Sequence, residues 1–188
     1  MIRLATADDS EEILKIYAPY IAETTISFET EVPSVNEFRK RIENITRQYP
    51  FLIYEVGGKT VGYAYASKHR ERAAYAYNVD VSVYVMPEYH GSGIAYKLYD
   101  CLFTLLAEMG YINAYAGCTV PNTKSVKFHE KFGFKIIGTL HKTGYKFGKW
   151  HDVVWLEKMI NEHAEKPKDI LSINEIPEEY LRSIFNKL

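Results

Sequence analysis

The 188-residue sequence lacks several features that would point to particular classes of protein. Its two cysteines, Cys101 and Cys118, are too few for a disulfide framework or, by themselves, for a metal site. A reducing, cytoplasmic compartment is therefore the default expectation, and no metal is expected. No apolar run approaches the roughly 20 residues of a membrane-spanning helix. The first residues also lack the apolar region of a signal peptide.

An excess of one charge sign is also missing. Lys and Arg number 23 and Asp and Glu number 24, which gives a net charge of −1. Nucleic acids and anionic membranes are bound through a basic excess or a basic patch. The charge balance therefore argues against both partners, and against a nucleic-acid or protein adaptor.

What the sequence does have is enough apolar material for a core: 47% of residues are hydrophobic and 25% are charged. Together with the length, this fits one globular domain, with or without an added segment. Tyrosine is abundant, at 16 residues. Many of these rings are expected where protein meets water, as in pockets and interfaces.

Hydrophobic periodicity predicts the element order β-α-α-β-β-β-α-β-α-β-β, which indicates an α+β (mixed α/β) fold. Pro19 is expected to end or kink the first helix, and the capping box at Ser34 opens a second helix that runs to about Gln48. The later elements are predicted at 51–56, 61–66, 75–85, 93–109, 114–119, 122–131, 134–140 and 153–158. After residue 159 the composition shifts. We therefore predict one domain over 1–159, and a linker with a short amphipathic helix over 160–188.

The most informative segment is a valine-rich strand that ends at Pro87, followed by the turn Gly91-Ser92-Gly93. Glycines let successive backbone N–H groups converge, and a helix N-terminus adds partial positive charge, so such a turn can hold an anion. The same residues are equally typical of a plain strand-to-helix turn. A phosphate-binding P-loop is excluded because no Gly-Lys-Ser/Thr follows. The dinucleotide fingerprint is excluded because Tyr96 stands where its third glycine would be.

The segment His90-Gly91-Ser92-Gly93-Ile94-Ala95 resembles motif A of the GNAT N-acetyltransferases, Gln/Arg-x-x-Gly-x-Gly/Ala, with His90 at the usual Gln/Arg position. A second element, Asn122-Thr123-Lys124-Ser125 with His129 and Phe132-Gly133-Phe134, is also similar. The resemblance covers about residues 1–159. It implies acetyl-CoA as cofactor and the GNAT fold, a mixed, mostly antiparallel sheet flanked by helices. It also implies that the strand ending at Val85 and the strand 114–119 splay apart.

The cofactor contacts that the resemblance implies lie on that strand, on the turn and on the following helices. They are Val83, Tyr84, Val85, His90, Gly91, Ser92, Gly93, Ile94, Ala95, Tyr96, Asn122 and Ser125.

A narrower similarity, to the phosphinothricin acetyltransferase group, lies in five segments: 25–30, 49–52, 62–66, 72–75 and 147–153. That group acetylates the α-amine of phosphinothricin, and close relatives act on methionine sulfoximine or methionine sulfone. The resemblance implies a homodimer and a substrate pocket formed by Phe28, Arg70, Arg72, Tyr75 and Val153. Arg72 is the strongest candidate for substrate recognition, because a guanidinium binds carboxylate or phosphinate oxygens in a bidentate manner.

Two residues are candidates for catalysis. Asp80 is a carboxylate among valines on a strand, and on that pattern alone it is most simply an ion-paired or solvent-facing residue. The resemblance implies that it is the general base, although Asp is shorter than the family's Glu, which favours a bridging water. A lone helical histidine such as His129 is usually structural. The resemblance implies a catalytic role for it and leaves acid and base open.

Three alternatives stay open at this point. One is a GNAT enzyme for a polyamine, an aminoglycoside or a protein N-terminus, although Arg70 and Arg72 disfavour such cationic acceptors. Another is a non-enzymatic acyl-CoA-binding module, which needs neither Asp80 nor His129. The third is a covalent acyl-enzyme on Cys118. Since the sequence shows no base partner for that cysteine, a buried thiol is the better interpretation.

Overall fold

The computed structural model describes residues 1–186, and within them the chain forms seven strands and five α-helices. The strands are β1 Ile2–Leu4, β2 Phe51–Val56, β3 Lys59–Lys68, β4 Asn78–Val85, β5 Asn113–Val120, β6 Lys135–Lys146 and β7 Lys149–Met159. The helices are α1 Ser10–Glu23, α2 Val35–Ile45, α3 Ile94–Glu108, α4 Thr123–Lys131 and α5 Glu178–Phe185.

The strands form one sheet in the order β1-β2-β3-β4-β5-β7-β6. The β4–β5 pair is parallel and the other pairs are antiparallel, which confirms the predicted mixed, mostly antiparallel sheet. Parallel neighbours need a crossover, and α3 supplies it between β4 and β5.

The sheet splits between β4 and β5, as predicted. The ladder joins three residue pairs, which end at Asp80 opposite Tyr115, and it goes no further in the described residues. Beyond Asp80, β4 keeps pairing with β3 up to Val85, while β5 pairs with β7 along its length. A wedge-shaped cleft therefore opens from Asp80 towards the turn before α3.

Helices cover both faces of the sheet. On one face, Tyr17 of α1 contacts Phe38 of α2 and Tyr84 of β4. On the other face, Ile94 of α3 packs so closely on Gly62 that an added Cβ would lie 3.1 Å from its side chain. Successive residues of a strand point to opposite faces of the sheet. Each side chain beside the cleft therefore lies either on the α1–α2 face or on the α3 face.

Several boundaries differ from the predictions. Strand β4 begins at Asn78 and not at Tyr75, because Ala73–Tyr75 form a short 3-10 turn. Helix α1 continues through Pro19 to Glu23, so of the two effects expected of Pro19, an end or a kink, the end does not occur. Tyr20 and Ile21, which follow the proline, are buried, and this packing offsets the roughly 3 kcal/mol that an interior proline costs. Helix α2 begins after Ser34 as predicted but ends at Ile45, three residues before Gln48.

The last two strands are longer than predicted and form a hairpin that turns at Phe147 and Gly148. Residues 141–152 have no clear alternation of apolar and polar side chains, so the pattern predicts no strand there. A distant contact holds this region: the buried Lys146 Nζ donates hydrogen bonds to the carbonyls of Ile21 (2.6 Å) and Ser27 (2.7 Å).

The segment after β7 lies across the ends of α2 and α3. The Leu171 N–H donates to the Met109 carbonyl, and the Ile173 N–H donates to the Gln48 carbonyl, both at 3.0 Å. The predicted helix is present as α5, with Leu181 and Ile184 buried. Residues 187 and 188 of that prediction lie outside the described residues. No helix in the described part of the chain is long and apolar enough to cross a membrane.

Candidate active site

The turn before α3 has the backbone shape that an anion site needs. Gly91 and Gly93 have φ values of 80° and 85°, a region that favours glycine. A Cβ built at either position would meet no atom within 4 Å, so the space in front of the turn is open. Gly93 is the N-cap of α3, and no side chain caps this helix, so its first N–H groups lack a side-chain partner there.

The residues around the turn hold it against the end of β4. His90 Nε2 lies 3.0 Å from the Val85 carbonyl and 2.8 Å from the Tyr20 hydroxyl, which itself donates to Val85 O at 2.6 Å. The Ser92 hydroxyl donates to the Tyr89 carbonyl. Ile94 is buried, Ala95 is half-buried and Tyr96 is exposed. His90 therefore anchors the turn, and Tyr20 is a partner that the sequence did not reveal.

The cleft has a bare strand edge on one side and α4 on the other. Val83 and Tyr84 are half-buried and Val85 is buried, all on the part of β4 beyond the ladder with β5. Asn122 caps α4 by accepting a hydrogen bond from the Ser125 N–H at 3.1 Å, as its predicted capping role requires. Ser125 Oγ lies 3.2 Å from Cys118 Sγ on β5.

Asp80 lies where the cleft closes, and it has a partner that the sequence analysis did not identify. Its Oδ1 is 2.7 Å from Nδ1 of His69, just after the end of β3. The Asp80 side chain is 34% exposed and that of His69 is 9% exposed. Burial raises the pKa of Asp80, and the hydrogen bond from His69 lowers it, with a net upward shift. A raised pKa brings a carboxylate closer to the range of a useful general base.

His129 is buried in α4 with both ring nitrogens occupied. Its Nδ1 is 2.8 Å from the Ser125 carbonyl, so Nδ1 carries the hydrogen, and its Nε2 accepts from the Tyr99 hydroxyl at 3.1 Å. Burial lowers the pKa of His129, which keeps the imidazole neutral near pH 7. The ring therefore holds no spare proton at neutral pH.

Asp80 and His129 lie on opposite faces of the sheet. Asp80 is level with Tyr115 on β5, whereas His129 lies 3.8 Å from the sulfur of Cys118, three residues further along β5. An odd separation on one strand places two side chains on opposite faces. The cleft between β4 and β5 is the region that both can reach.

Cys118 is a buried, free thiol, as the sequence analysis inferred. It has a histidine neighbour, His129, but the contact does not make it a nucleophile. The facing Nδ1 gives its hydrogen to the Ser125 carbonyl and cannot accept one from the thiol. Burial raises the pKa of the Cys118 thiol, so the protonated form is favoured.

The predicted substrate residues lie on the loop after β3 and on the face of the sheet that Asp80 shares. Arg70 lies over the Tyr75 ring, with Cζ 5.7 Å from the ring centroid. Arg72 is exposed at the start of the short turn 73–75, and it forms no ion pair with another described residue. Phe28 lies 6.3 Å from the ring of His151, which shares its face of β7 with Val153.

The sequence analysis missed His69 and the rings that hold it. His69 stacks on Tyr115 at a centroid distance of 4.2 Å and meets Trp155 edge-on at 6.2 Å. The sequence held one weak signal. Ser67 of β3 pairs with Asp80 of β4, so their side chains lie on one face of the sheet. His69 follows two residues after Ser67 and therefore shares that face.

A family model described as acetyltransferase (GNAT) domain matches residues 2–155. The chain is 37% identical over 152 residues to a phosphinothricin N-acetyltransferase of Streptomyces viridochromogenes, an alignment that covers 81% of this chain and 83% of that protein. It is 29% identical over 164 residues to an L-methionine sulfoximine/L-methionine sulfone acetyltransferase of Salmonella typhimurium, covering 87% and 96% of the two chains.

Solved structures are similar over nearly the same range. A GNAT superfamily phosphinothricin acetyltransferase from Sinorhizobium meliloti, in complex with AcCoA, superposes with a TM-score of 0.86 and 30% identity, covering 94% of this chain and 97% of that one. An N-acetyltransferase from Staphylococcus aureus superposes with a TM-score of 0.83 and 34% identity, covering 86% and 98%.

Proposed function

The chain belongs to the GNAT acetyltransferase family, and from this premise we propose that its acceptor is the α-amine of a small amino acid such as phosphinothricin, methionine sulfoximine or methionine sulfone. The enzyme is an acetyl-CoA-dependent N-acetyltransferase. The observation that carries the proposal is the half-buried carboxylate of Asp80 at the closed end of the β4–β5 cleft, with the glycine turn at its open end.

The residues of the cleft fit the cofactor. The turn Gly91–Ala95 and the start of α3 would hold its pyrophosphate, because the space around both glycines is open and a helix N-terminus carries partial positive charge. The backbone of Val83, Tyr84 and Val85 would pair with the amides of the pantetheine arm, as an added strand would. Tyr96, Asn122 and Ser125 complete this proposed cofactor site.

Acetyl-CoA supplies the acetyl group as a thioester. Asp80 takes a proton from the substrate ammonium, directly or through a water, since a neutral amine is the form that attacks a thioester. The amine nitrogen would then bond to the acetyl carbon as the C–S bond breaks. Coenzyme A would leave as a thiolate that takes up the second proton of the amine, while the first passes from Asp80 to solvent. His129 is the proposed second catalytic residue, on the α4 side of the cleft beside Cys118. Its lowered pKa and occupied nitrogens favour Asp80 as the base.

Arg70 and Arg72 are the proposed anchors for the acceptor's anionic groups, with Phe28, Tyr75 and Val153 as the pocket wall. These two positive side chains, both on the loop after β3, favour an acceptor that carries a carboxylate or a phosphinate. A polyamine or an aminoglycoside would need acidic groups there.

The test is a coenzyme A release assay with a panel of amines. We expect methionine sulfone, methionine sulfoximine or phosphinothricin to give the highest kcat/KM, and spermidine and kanamycin to give little. Higher kcat/KM for a cationic amine would replace the amino-acid assignment with the polyamine or aminoglycoside alternative. Tight acetyl-CoA binding without turnover of any amine would indicate a binding module.

The proposal also includes a homodimer, a reducing cytoplasmic setting, and a division of the chain into a domain over 1–159 and a linker with a docking helix over 160–188. The dimer is supported by large apolar side chains exposed along the β6–β7 hairpin, namely Ile136, Ile137, Leu140, Tyr145, Phe147 and Trp150. Two free, buried cysteines fit a reducing compartment.

A further inference from the structure

We propose that His69 is a positioning residue for the general base: it holds the Asp80 carboxylate by one short hydrogen bond and directs the other carboxylate oxygen to the acceptor amine. The inference rests on the proposed function, in which Asp80 takes the proton. It concerns a histidine to which the sequence analysis assigned no role.

The contact is short, shielded and charge-assisted. The Nδ1–Oδ1 distance is 2.7 Å, and the His69 side chain is 9% exposed. An ionised carboxylate can accept hydrogen bonds but cannot donate them, so Nδ1 carries the hydrogen and the imidazole is fixed in one tautomer. With Oδ1 bound in this way, Oδ2 is the oxygen assigned to the acceptor. His69 keeps its proton throughout, and Asp80 gains one and returns it to solvent.

The His69 ring is held from three directions. It is nearly parallel to Tyr115 of β5, at an interplanar angle of 15°. Trp155 of β7 and Tyr75 of the 73–75 turn meet it edge-on at centroid distances of 6.2 and 6.3 Å. These elements converge where the β4–β5 ladder ends, so the imidazole is packed before any substrate binds. A rigid donor of this kind reduces the reorganisation that the carboxylate would otherwise need.

Three other titratable groups interact with Asp80: Arg70, Tyr65 and Tyr115. Arg70 exerts a favourable Coulombic effect on the Asp80 carboxylate, weaker than that of His69. Burial, with a smaller contribution from the Asp80 charge, raises the pKa values of Tyr65 and Tyr115 above the ordinary tyrosine value. The Tyr115 hydroxyl donates to Glu157 at 2.7 Å, and its pKa is about 12, so it stays neutral. His69 is thus the hydrogen-bond donor to Asp80 that the described residues provide.

The experiment is a double-mutant cycle with conservative variants. His69→Phe keeps a ring against Tyr115 and removes the donor, whereas His69→Asn restores an N–H near the position of Nδ1. We expect His69→Phe to lower kcat for the amino acid roughly 10- to 100-fold, as loss of a hydrogen bond to a charged group does. We expect His69→Asn to recover most of this loss, and the KM for acetyl-CoA to stay unchanged in both.

Two further readouts separate positioning from general support of the fold. The double variant His69→Phe/Asp80→Asn should be no slower than Asp80→Asn alone, because residues that act as one unit are not additive. The acid limb of the kcat–pH profile should move to higher pH in His69→Phe, because the hydrogen bond that lowers the Asp80 pKa is gone. Multiplicative losses in the double variant, or a lower plateau with an unmoved limb, would overturn the proposal.

An NMR measurement tests the His69–Asp80 hydrogen bond independently of the proposed function. In long-range ¹H–¹⁵N spectra of ¹⁵N-histidine-labelled protein, His69 should show a protonated Nδ1 whose signal is perturbed in Asp80→Ala. If the enzyme acetylates none of the amino acids and this signal is present, the proposed acceptor fails while the His69–Asp80 pair stands. A His69 with unprotonated Nδ1 would refute the pair whatever the acceptor.

Discussion

At the scale of single residues, the site places two candidate catalytic groups in unlike surroundings. Asp80 has one partner and a side chain one-third exposed, whereas His129 is buried with both nitrogens in use. A general base must be accessible to the proton that it removes. The contrast favours Asp80 as the base.

Asp80→Asn should therefore lower kcat by about 10²–10⁴-fold and leave the KM for acetyl-CoA nearly unchanged, because the amide cannot take a proton. His129→Asn, which can still donate to the Ser125 carbonyl, is the comparison variant and should lose less. Steady-state assays on both variants check this. Near-normal kcat in Asp80→Asn with a large loss in His129→Asn would transfer the role of base to His129.

Arg72 should matter for the acceptor and not for acetyl-CoA. We expect Arg72→Ala to raise the KM for the amino acid about tenfold or more, which corresponds to a loss of 1.4 kcal/mol or more for the anionic contact. Arg72→Lys should restore part of it, because an ammonium is not a planar fork. Unchanged amino-acid kinetics in Arg72→Ala, measured with the same coenzyme A release assay, would remove Arg72 from the pocket.

At the scale of elements, the turn before α3 and the helix α5 have different tasks. The turn depends on two glycines with positive φ, and a side chain there would enter the space that the N–H groups face. Helix α5 instead buries Leu181 and Ile184 against the core.

Gly93→Val should raise the KM for acetyl-CoA by more than about tenfold, because valine is strained at positive φ and its side chain blocks the turn. Gly58→Val is the matched control: Gly58 also has positive φ (79°) and open surroundings, but it lies in the β2–β3 hairpin. Titration with acetyl-CoA by calorimetry compares the two. Equal affinities would show that the turn does not hold the cofactor.

Ile184→Ala should lower the free energy of unfolding by about 2 kcal/mol or more, since a buried isoleucine loses both its transfer energy and its packing. Glu179→Ala, on the exposed side of the same helix, should change it little. Urea denaturation of both variants measures the difference. Equal stability would mean that α5 adds nothing to the fold in solution.

At the scale of the whole molecule, the β6–β7 hairpin carries the largest exposed rings. Tyr145 and Trp150 are each 59% exposed and pair across the hairpin at a centroid distance of 5.2 Å. Apolar side chains of this size, grouped on one hairpin, are typical of protein–protein interfaces, and we propose that the second subunit covers them.

The proposed homodimer should therefore dissociate in Trp150→Arg and persist in Val56→Arg, a control at an exposed apolar residue of the β2–β3 hairpin. Light scattering coupled to gel filtration reports the mass of each variant. A monomeric wild type would refute the dimer, and an intact dimer in Trp150→Arg would place the interface elsewhere.

The sequence by itself determined the α+β class and the turn, because these depend on local signals. Alternating valines mark β4, glycines mark the turn, and Ser34 and Asn122 mark helix starts through hydrogen bonds within three residues. The strand 114–119 followed from hydrophobic periodicity, whereas its separation from β4 followed from the resemblance to the family.

The tertiary structure decided what depends on contacts between distant residues. Helix α1 passes through Pro19 because its apolar face is packed, and residues 141–152 join the hairpin through pairing and through the distant hydrogen bonds of Lys146. The His69–Asp80 hydrogen bond joins residues that are eleven positions apart in the sequence. The His69 ring also packs against Tyr115 of β5 and Trp155 of β7. No local pattern encodes such a contact, because its geometry exists once the sheet has brought these four segments together.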